Sequence, residues 1–146
     1  MKIEGLWSSG IFYYDAFEDS FVGFIENNLG FFYYMNVHHD DIELFKWNQV
    51  DTGTINIEGI VRYIFEDEVF KEIDKNTLTI LNNITIRQYK KVVFSKEIDT
   101  LEFSKSVILE DKEFGLNEKD ILNSHIYKRA IKLIGERLPK EFQIML

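Results

Sequence analysis

The sequence predicts a mainly β protein: an antiparallel meander closing into a barrel, followed by one C-terminal α-helix. Three observations point there. Short aromatic and β-branched runs separated by tight turns continue almost to residue 110. A stripe of apolar residues at helical spacing appears only after residue 117. The chain opens on Gly5-Leu6-Trp7, ahead of the first run. Val, Ile, Thr and aromatic side chains fit a pleated, half-buried surface, so alternating runs of them read as strands.

The elements follow in order. The first strand spans Glu4 to Tyr14, broken near Ser8-Ser9-Gly10. Phe21-Val22-Gly23-Phe24-Ile25 and Phe31-Phe32-Tyr33-Tyr34-Met35 form a hairpin across Asn27-Asn28 and Gly30, residue types that tolerate positive φ. The stretch 15–28 also admits a helix, with Asp15 and Glu18 as a capping pair and Phe17, Phe21, Phe24 and Ile25 at helical spacing. Gly23 and the aromatic run that follows favour the hairpin. His38-His39-Asp40-Asp41 is a polar corner leading into Ile42 to Trp47. Asp51-Thr52-Gly53 turns into the cleanly alternating Thr54 to Glu58, and Val61 to Phe65 alternates as well. Glu66-Asp67-Glu68 is a charged turn or bulge. A hairpin is expected around Asp74-Lys75-Asn76, and Ile84 to Phe94 is a further strand. Weaker strands are expected at Asp99–Phe103 and Ser106–Leu109.

Asn117 is an N-cap candidate with Asp120 three residues on, and Ile121, Leu122, Ile126, Ala130, Leu133 and Ile134 make one apolar helix face. Pro139 is the expected stop. That helix should lie on the barrel wall or cap an open end. Phe142, Ile144, Met145 and Leu146 are too apolar to dangle and are expected to dock. The organisation is that of one domain over 1–146, with 1–110 the meander and 117–138 the helix.

Composition bounds the function. The 146 residues are 45% hydrophobic and carry a net charge of −8. Such a chain buries a core, and its acidity repels phosphate backbones and anionic headgroups. Neither nucleic acid nor a membrane surface is an expected partner; a basic protein is allowed. There are no cysteines, so disulfides and thiolate metal sites are excluded. Met1-Lys2-Ile3-Glu4 lacks a basic region followed by an apolar run, and no apolar stretch is long enough to span a bilayer. A cytoplasmic location is expected. The richness in Ile, Lys and Asn, with two Ala and one Pro, suggests an AT-rich bacterial genome.

Gly5-Leu6-Trp7 resembles the glycine-x-tryptophan signature on the first strand of lipocalins and fatty-acid-binding proteins, the calycins. Phe45-x-Trp47 followed by Asp51-x-Gly53, and the hairpin Ile73 to Ile80, are similar to small bacterial lipocalin-like domains. The likeness covers residues 3–94 as a pattern. It implies a lipocalin-like barrel in which Trp7 plugs one end and a basic side chain from a late strand, best matched by Arg87, stacks on it. No position matches the arginine pair that holds a fatty-acid carboxylate in that family, so fatty-acid binding is not carried over.

Other constellations have plain readings. His38 and His39 would point to opposite faces of a strand and chelate a metal only if the turn bent them together. His125 lies beside the apolar helix face, with Arg129 one turn on and no carboxylate or nucleophile paired with it. Glu66-Asp67-Glu68 with Glu72, and Glu110-Asp111 with Glu113, read as solvated turns, or as a decoy surface for a basic partner. No phosphate loop, nucleophile motif or cofactor signature is present. The 22 aromatics are concentrated early, 16 of them within residues 1–70. Tyr13-Tyr14, Phe31 to Tyr34 and Phe45-x-Trp47 therefore read as pocket lining, or as packed core with a dimer face. The leading expectation is non-catalytic binding of a small apolar molecule, with Trp7, Tyr34, Trp47, Tyr63 and Tyr89 lining its site and Arg87 bracing Trp7. The alternative is an acidic intracellular interaction module of the inhibitor or immunity type, with a filled barrel; a lipocalin-like enzyme is a weaker third.

Overall fold

In a computed structural model, residues 2–13 and 17–146 are described. Tyr14 and Asp15, which the sequence places in the first strand and in a capping pair, lie outside those residues. Among the described residues, nine strands form one antiparallel sheet: β1 (Gly5–Ser8), β2 (Asp19–Ile25), β3 (Leu29–Met35), β4 (His39–Asp51), β5 (Thr54–Glu66), β6 (Val69–Asp74), β7 (Ile80–Val93), β8 (Lys96–Phe103) and β9 (Glu113–Glu118). The order is β4-β3-β2-β1-β9-β8-β7-β5, and β4 also pairs with β5, so the hydrogen bonds run round a ring of eight strands. β6 stands outside the ring. It covers the edge of β5 at residues 62–66, while β7 covers the same edge at residues 54–58.

Local chemistry explains the turns. Asn27 and Asn28 both take positive φ in the β2–β3 connection, as the sequence predicts, and the 15–28 ambiguity resolves to a hairpin over its described part. Asp67-Glu68 and Phe94-Ser95 form two-residue turns with both residues at positive φ, without the usual glycine. Gly5 has φ +135, and a Cβ there would lie 3.0 Å from the Glu118 carbonyl. The first residue of the Gly5-Leu6-Trp7 motif is thus fixed by close approach of β9, whose register shifts at Leu6/Trp7.

Two apolar clusters lie on opposite sides of the sheet. The inner one takes side chains from all eight ring strands, including Trp7, Phe24, Phe32, Phe45, Ile57, Ile86, Leu101, Phe103 and Phe114. These fill the ring. The outer cluster uses the alternate residues of β1–β5, such as Leu6, Phe31, Tyr33, Leu44 and Tyr63, and is closed by the C-terminal segments. Strict alternation along β2 and β3 sends Phe21 and Phe31 outward and Val22 and Phe32 inward. That is why these strands are aromatic on both faces.

The C-terminal region departs from the expected boundaries. Asn117 belongs to β9, and the α-helix α1 spans His125–Ile134. Ser124 is the N-cap; its hydroxyl accepts from the Ile126 and Tyr127 amides. The stop is Gly135, at φ 56 and ψ −128, a conformation suited to glycine, four residues before Pro139. Ser106–Leu109 is not a strand but carries one bridge, Ile108 to Asp111, and the meander runs on through β9. α1 lies against the sheet's outer face through Tyr127, Ala130 and Ile134. Phe142 and Met145 dock there too, whereas Ile144 and Leu146 stay exposed. No helix among the described residues is long and apolar enough to cross a membrane.

Candidate functional site

The candidate site is a cleft of about 800 Å³ at one end of the ring. Its floor is where the inner cluster reaches the opening: Trp7 on β1, Phe24 on β2 and, beside them, Leu116 on β9. Leu122 and Ile144 form a second apolar wall, both more than half exposed. Lys2, Glu4, Glu26, Lys90, Asp99 and Lys119 ring the mouth with mixed charge.

The polar groups at the floor have partners within the protein. Trp7 Nε1 donates to the Ile3 carbonyl at 2.8 Å, Gln88 Nε2 to the Lys2 carbonyl at 3.0 Å, and the buried Thr100 hydroxyl to the Ile98 carbonyl at 3.0 Å. Among the described residues no buried side-chain nitrogen or oxygen lacks a hydrogen-bond partner. The floor therefore presents mainly apolar surface, its buried side-chain polar atoms being paired within the protein.

The site residues expected from the sequence divide. Trp7 and Tyr89 line the cleft. Tyr34, Trp47 and Tyr63 do not. Tyr34 lies toward the far end of β3, its hydroxyl donating to Glu18 Oε2 at 2.5 Å. Trp47 packs edge-on against Phe24 at 5.2 Å and donates to the Leu29 carbonyl at 3.1 Å. Tyr63 is buried on the outer side, where its hydroxyl donates to the Arg137 carbonyl at 2.7 Å; burial pushes its pKa up to about 12. The expected stack of Arg87 on Trp7 is not formed. Alternation along β7 turns Ile86 inward and Arg87 outward, so its guanidinium lies 4.4 Å over Tyr89 and 3.0 Å from Glu102. Phe24, Leu116, Leu122 and Ile144 are not among the lining residues the sequence suggests. Nothing local marks them, because the cleft is assembled from segments more than 100 residues apart in sequence.

The acidic runs are mostly exposed turns, as expected, with Glu113 the member tied into the fold. Glu113 receives Lys91 Nζ at 2.5 Å and the Tyr89 hydroxyl; burial raises its pKa, but those bonds outweigh it and hold the carboxyl low. Asp67 meets His38 Nδ1 at 2.8 Å in the open. Asp40 is buried and shared by the Tyr33 hydroxyl and Arg129, whose Nη2 lies 3.1 Å from Oδ2 and whose Nη1 reaches Glu68 at 2.9 Å. Burial, then the Asp40 bond, raises the Tyr33 pKa far above its ordinary value, so it stays a donor. This network pins α1 to the sheet. Glu43, also buried, accepts from the Thr79 amide at 2.7 Å and hydroxyl at 2.8 Å, tying the β6–β7 connection to β4; burial raises its pKa despite those bonds. His38 and His39 belong to no group of three or more metal-ligand side chains among the described residues.

Comparison with known families, curated proteins and solved structures finds no match to this chain.

Proposed function

We propose that this protein binds a small, mostly apolar molecule without transforming it, in the cleft at the end of a lipocalin-like barrel. The observation that carries the reading is that cleft: about 800 Å³, with an aromatic floor whose polar atoms are already bonded and a wall of exposed leucine and isoleucine. The volume suits a single small ligand. Exposed apolar side chains lining a concavity mark a binding surface. The calycin resemblance is consistent with it, since Trp7, the tryptophan of the first-strand motif, stands where the inner cluster meets the opening. The ligand would sit on the ring and not deep within it, because the interior is filled.

The test is titration with N-phenyl-1-naphthylamine, an uncharged fluorescent dye, and native mass spectrometry of the purified protein. Dye binding is expected, and Leu122→Asp should abolish it without altering the fold, since Leu122 is 55% exposed. Dye that binds the variant and the parent alike, or neither, removes the cleft from consideration.

The filled interior favours one second reading, an acidic docking module for a basic protein. Its net charge of −8 would then act through encounter rate, with association slowing steeply as salt is raised.

A further inference from the structure

We infer that the segment Lys140–Met145 is part of the ligand site, so that filling the end cleft and docking this segment on the sheet are linked; the inference rests on the ligand-binding reading of that cleft. The apolar lining of the cleft has two origins. Trp7, Phe24 and Leu116 come from ring strands. The rest is shared with the closure of the outer face. Ile25 and Ile121 line the cleft and are also members of the outer cluster, and Leu122 follows Ile121 in the same 3-10 turn. Ile144 lines the cleft from the 3-10 segment Lys140–Met145, whose Phe142 and Met145 are buried in the outer cluster. With three residues per turn, Phe142 and Met145 fall on one face of that segment and Ile144 a third of a turn away. One short segment therefore packs into the outer cluster and lines the cleft.

Ile144 is 56% exposed and has little packing of its own. Its place in the cleft follows from what anchors its neighbours. Phe142 and Met145 are buried, the Tyr127 hydroxyl donates to the Met145 carbonyl, and Lys46 Nζ on β4 lies 2.6 Å from Glu141 Oε2. Among the described residues no strand ladder holds the segment. Undocking it takes Ile144 out of the cleft and opens the outer cluster to which Ile25 and Ile121 belong. A molecule that touches both the floor and these side chains has more apolar surface to bury in the docked form than in the undocked one. It binds the docked form better and, by reciprocity, steadies it. Phe142 and Met145 are then positioning residues: they touch no ligand, and hold the side chain that does.

The experiment follows amide hydrogen exchange in the parent and in Phe142→Ala, without dye and with N-phenyl-1-naphthylamine at ten times its Kd. In the parent, exchange over residues 126–146 should slow about tenfold, the factor by which bound dye depletes an open form that cannot bind it. Residues 92–97, at the tip of the β7–β8 hairpin and outside the cleft, should keep their rate. In Phe142→Ala, dye affinity should fall about tenfold or more although residue 142 does not line the cleft, and saturating dye should restore protection to α1. Near-UV circular dichroism checks that the variant is folded, and the parent measurement keeps the test decisive where it is not. A parent that binds the dye while residues 126–146 exchange at their dye-free rate overturns the linkage and leaves the cleft standing. A folded Phe142→Ala that binds the dye as tightly as the parent, with residues 140–146 unprotected, overturns it too. A parent that binds no dye removes the ligand reading, and this inference with it.

Discussion

The two sides of the sheet are built from the same strands and have different closures. The inner side is shut by the sheet itself: eight strands each supply side chains to one cluster, and its members are mostly Phe and Ile. The outer side takes its buried strand residues from β1–β5 and is shut by Ile121, α1 and the residues after it, which reach it late in the sequence. The first depends on strand pairing all round the ring, the second on a docked helix held by a few specific bonds. The inner cluster should therefore behave as the cooperative centre of stability, and the outer one as a detachable lid.

The sharpest way to break the comparison is to cut both sides equally. Phe45, on the inner side, and Phe142, on the outer, are both fully buried phenylalanines. Each truncation to alanine should cost about 3–5 kcal/mol by lost burial and cavity formation. Phe45→Ala should lower protection from hydrogen exchange throughout the ring. Phe142→Ala should expose α1 and residues 140–145 first, with β7–β9 still protected. Uniform loss of protection in both variants would mean that the two sides unfold as one.

The next effect isolates the bond that holds the lid. Arg129 reaches from α1 to buried Asp40, so Arg129→Met strands a carboxylate at a site 2% exposed. The expected cost is about 3 kcal/mol, read by denaturant melts, because one partner of a buried pair is removed. Asp40→Asn in the same chain should restore most of it, and a double variant no better than Arg129→Met would show that the guanidinium acts by packing alone.

These two sides differ in how readable they were. The strands, the β2–β3 hairpin and the two-faced aromatic runs are legible because period-two patterning is local, whereas the hairpin expected around Asp74-Lys75-Asn76 does not form, since β6 and β7 each pair with β5 and not with one another. Trp7 stands out for a different reason, its place in the Gly5-Leu6-Trp7 motif. The Arg129–Asp40–Tyr33 network was not legible: its members are up to 96 residues apart, and Asp40 looked like one of four solvated polar residues in a corner. The helix boundary was missed because the apolar spacing of Ile121 and Leu122 continues that of α1, although the chain takes a 3-10 turn there and Ser124, not Asn117, offers the cap. The cleft drew only Trp7 and Tyr89 from the expected set because Tyr34, Trp47 and Tyr63 are equally aromatic. Tyr63 packs in the outer cluster, and Tyr34 and Trp47 pack on the inner one but do not line the opening, a placement that composition does not encode.

A pH series sharpens the contrast with a smaller effect. Glu43 has its pKa raised in the fold by burial, so the native state holds a proton more tightly than the unfolded chain does. Its contribution is therefore greatest below the unfolded value near 4.5 and is lost as pH rises through the higher folded value. Asp19 is raised by burial as well and acts in the same sense from about 3.8 upward. Glu113, held low by Lys91 and Tyr89, has the opposite sign: its contribution is present above about 4.5 and disappears as pH falls through its folded value. Glu43→Gln keeps an acceptor for the Thr79 amide and a donor for its hydroxyl. It should flatten the decline in melting temperature above pH 4.5 and leave the acid limb unchanged. An unaltered slope would place the pH dependence on Asp19.

The smallest expected effect concerns the turns that close the ring. Ser95 sits at φ 64 in the β7–β8 hairpin, a left-handed conformation that a Cβ disfavours. Ser95→Gly should stabilise the protein by about 0.5–1 kcal/mol, a rise of a few degrees in melting temperature. The gain should appear as slower exchange in β7 and β8, which contribute to the inner cluster and not to the outer one. If the sheet's closure on itself is the cooperative centre, tightening this distant hairpin protects the inner side of β2 and β3 as well, while α1 keeps its own opening rate. A gain confined to residues 86–103 would mean that the ring is a chain of local hairpins and that the inner side has no cooperativity to lend to the outer.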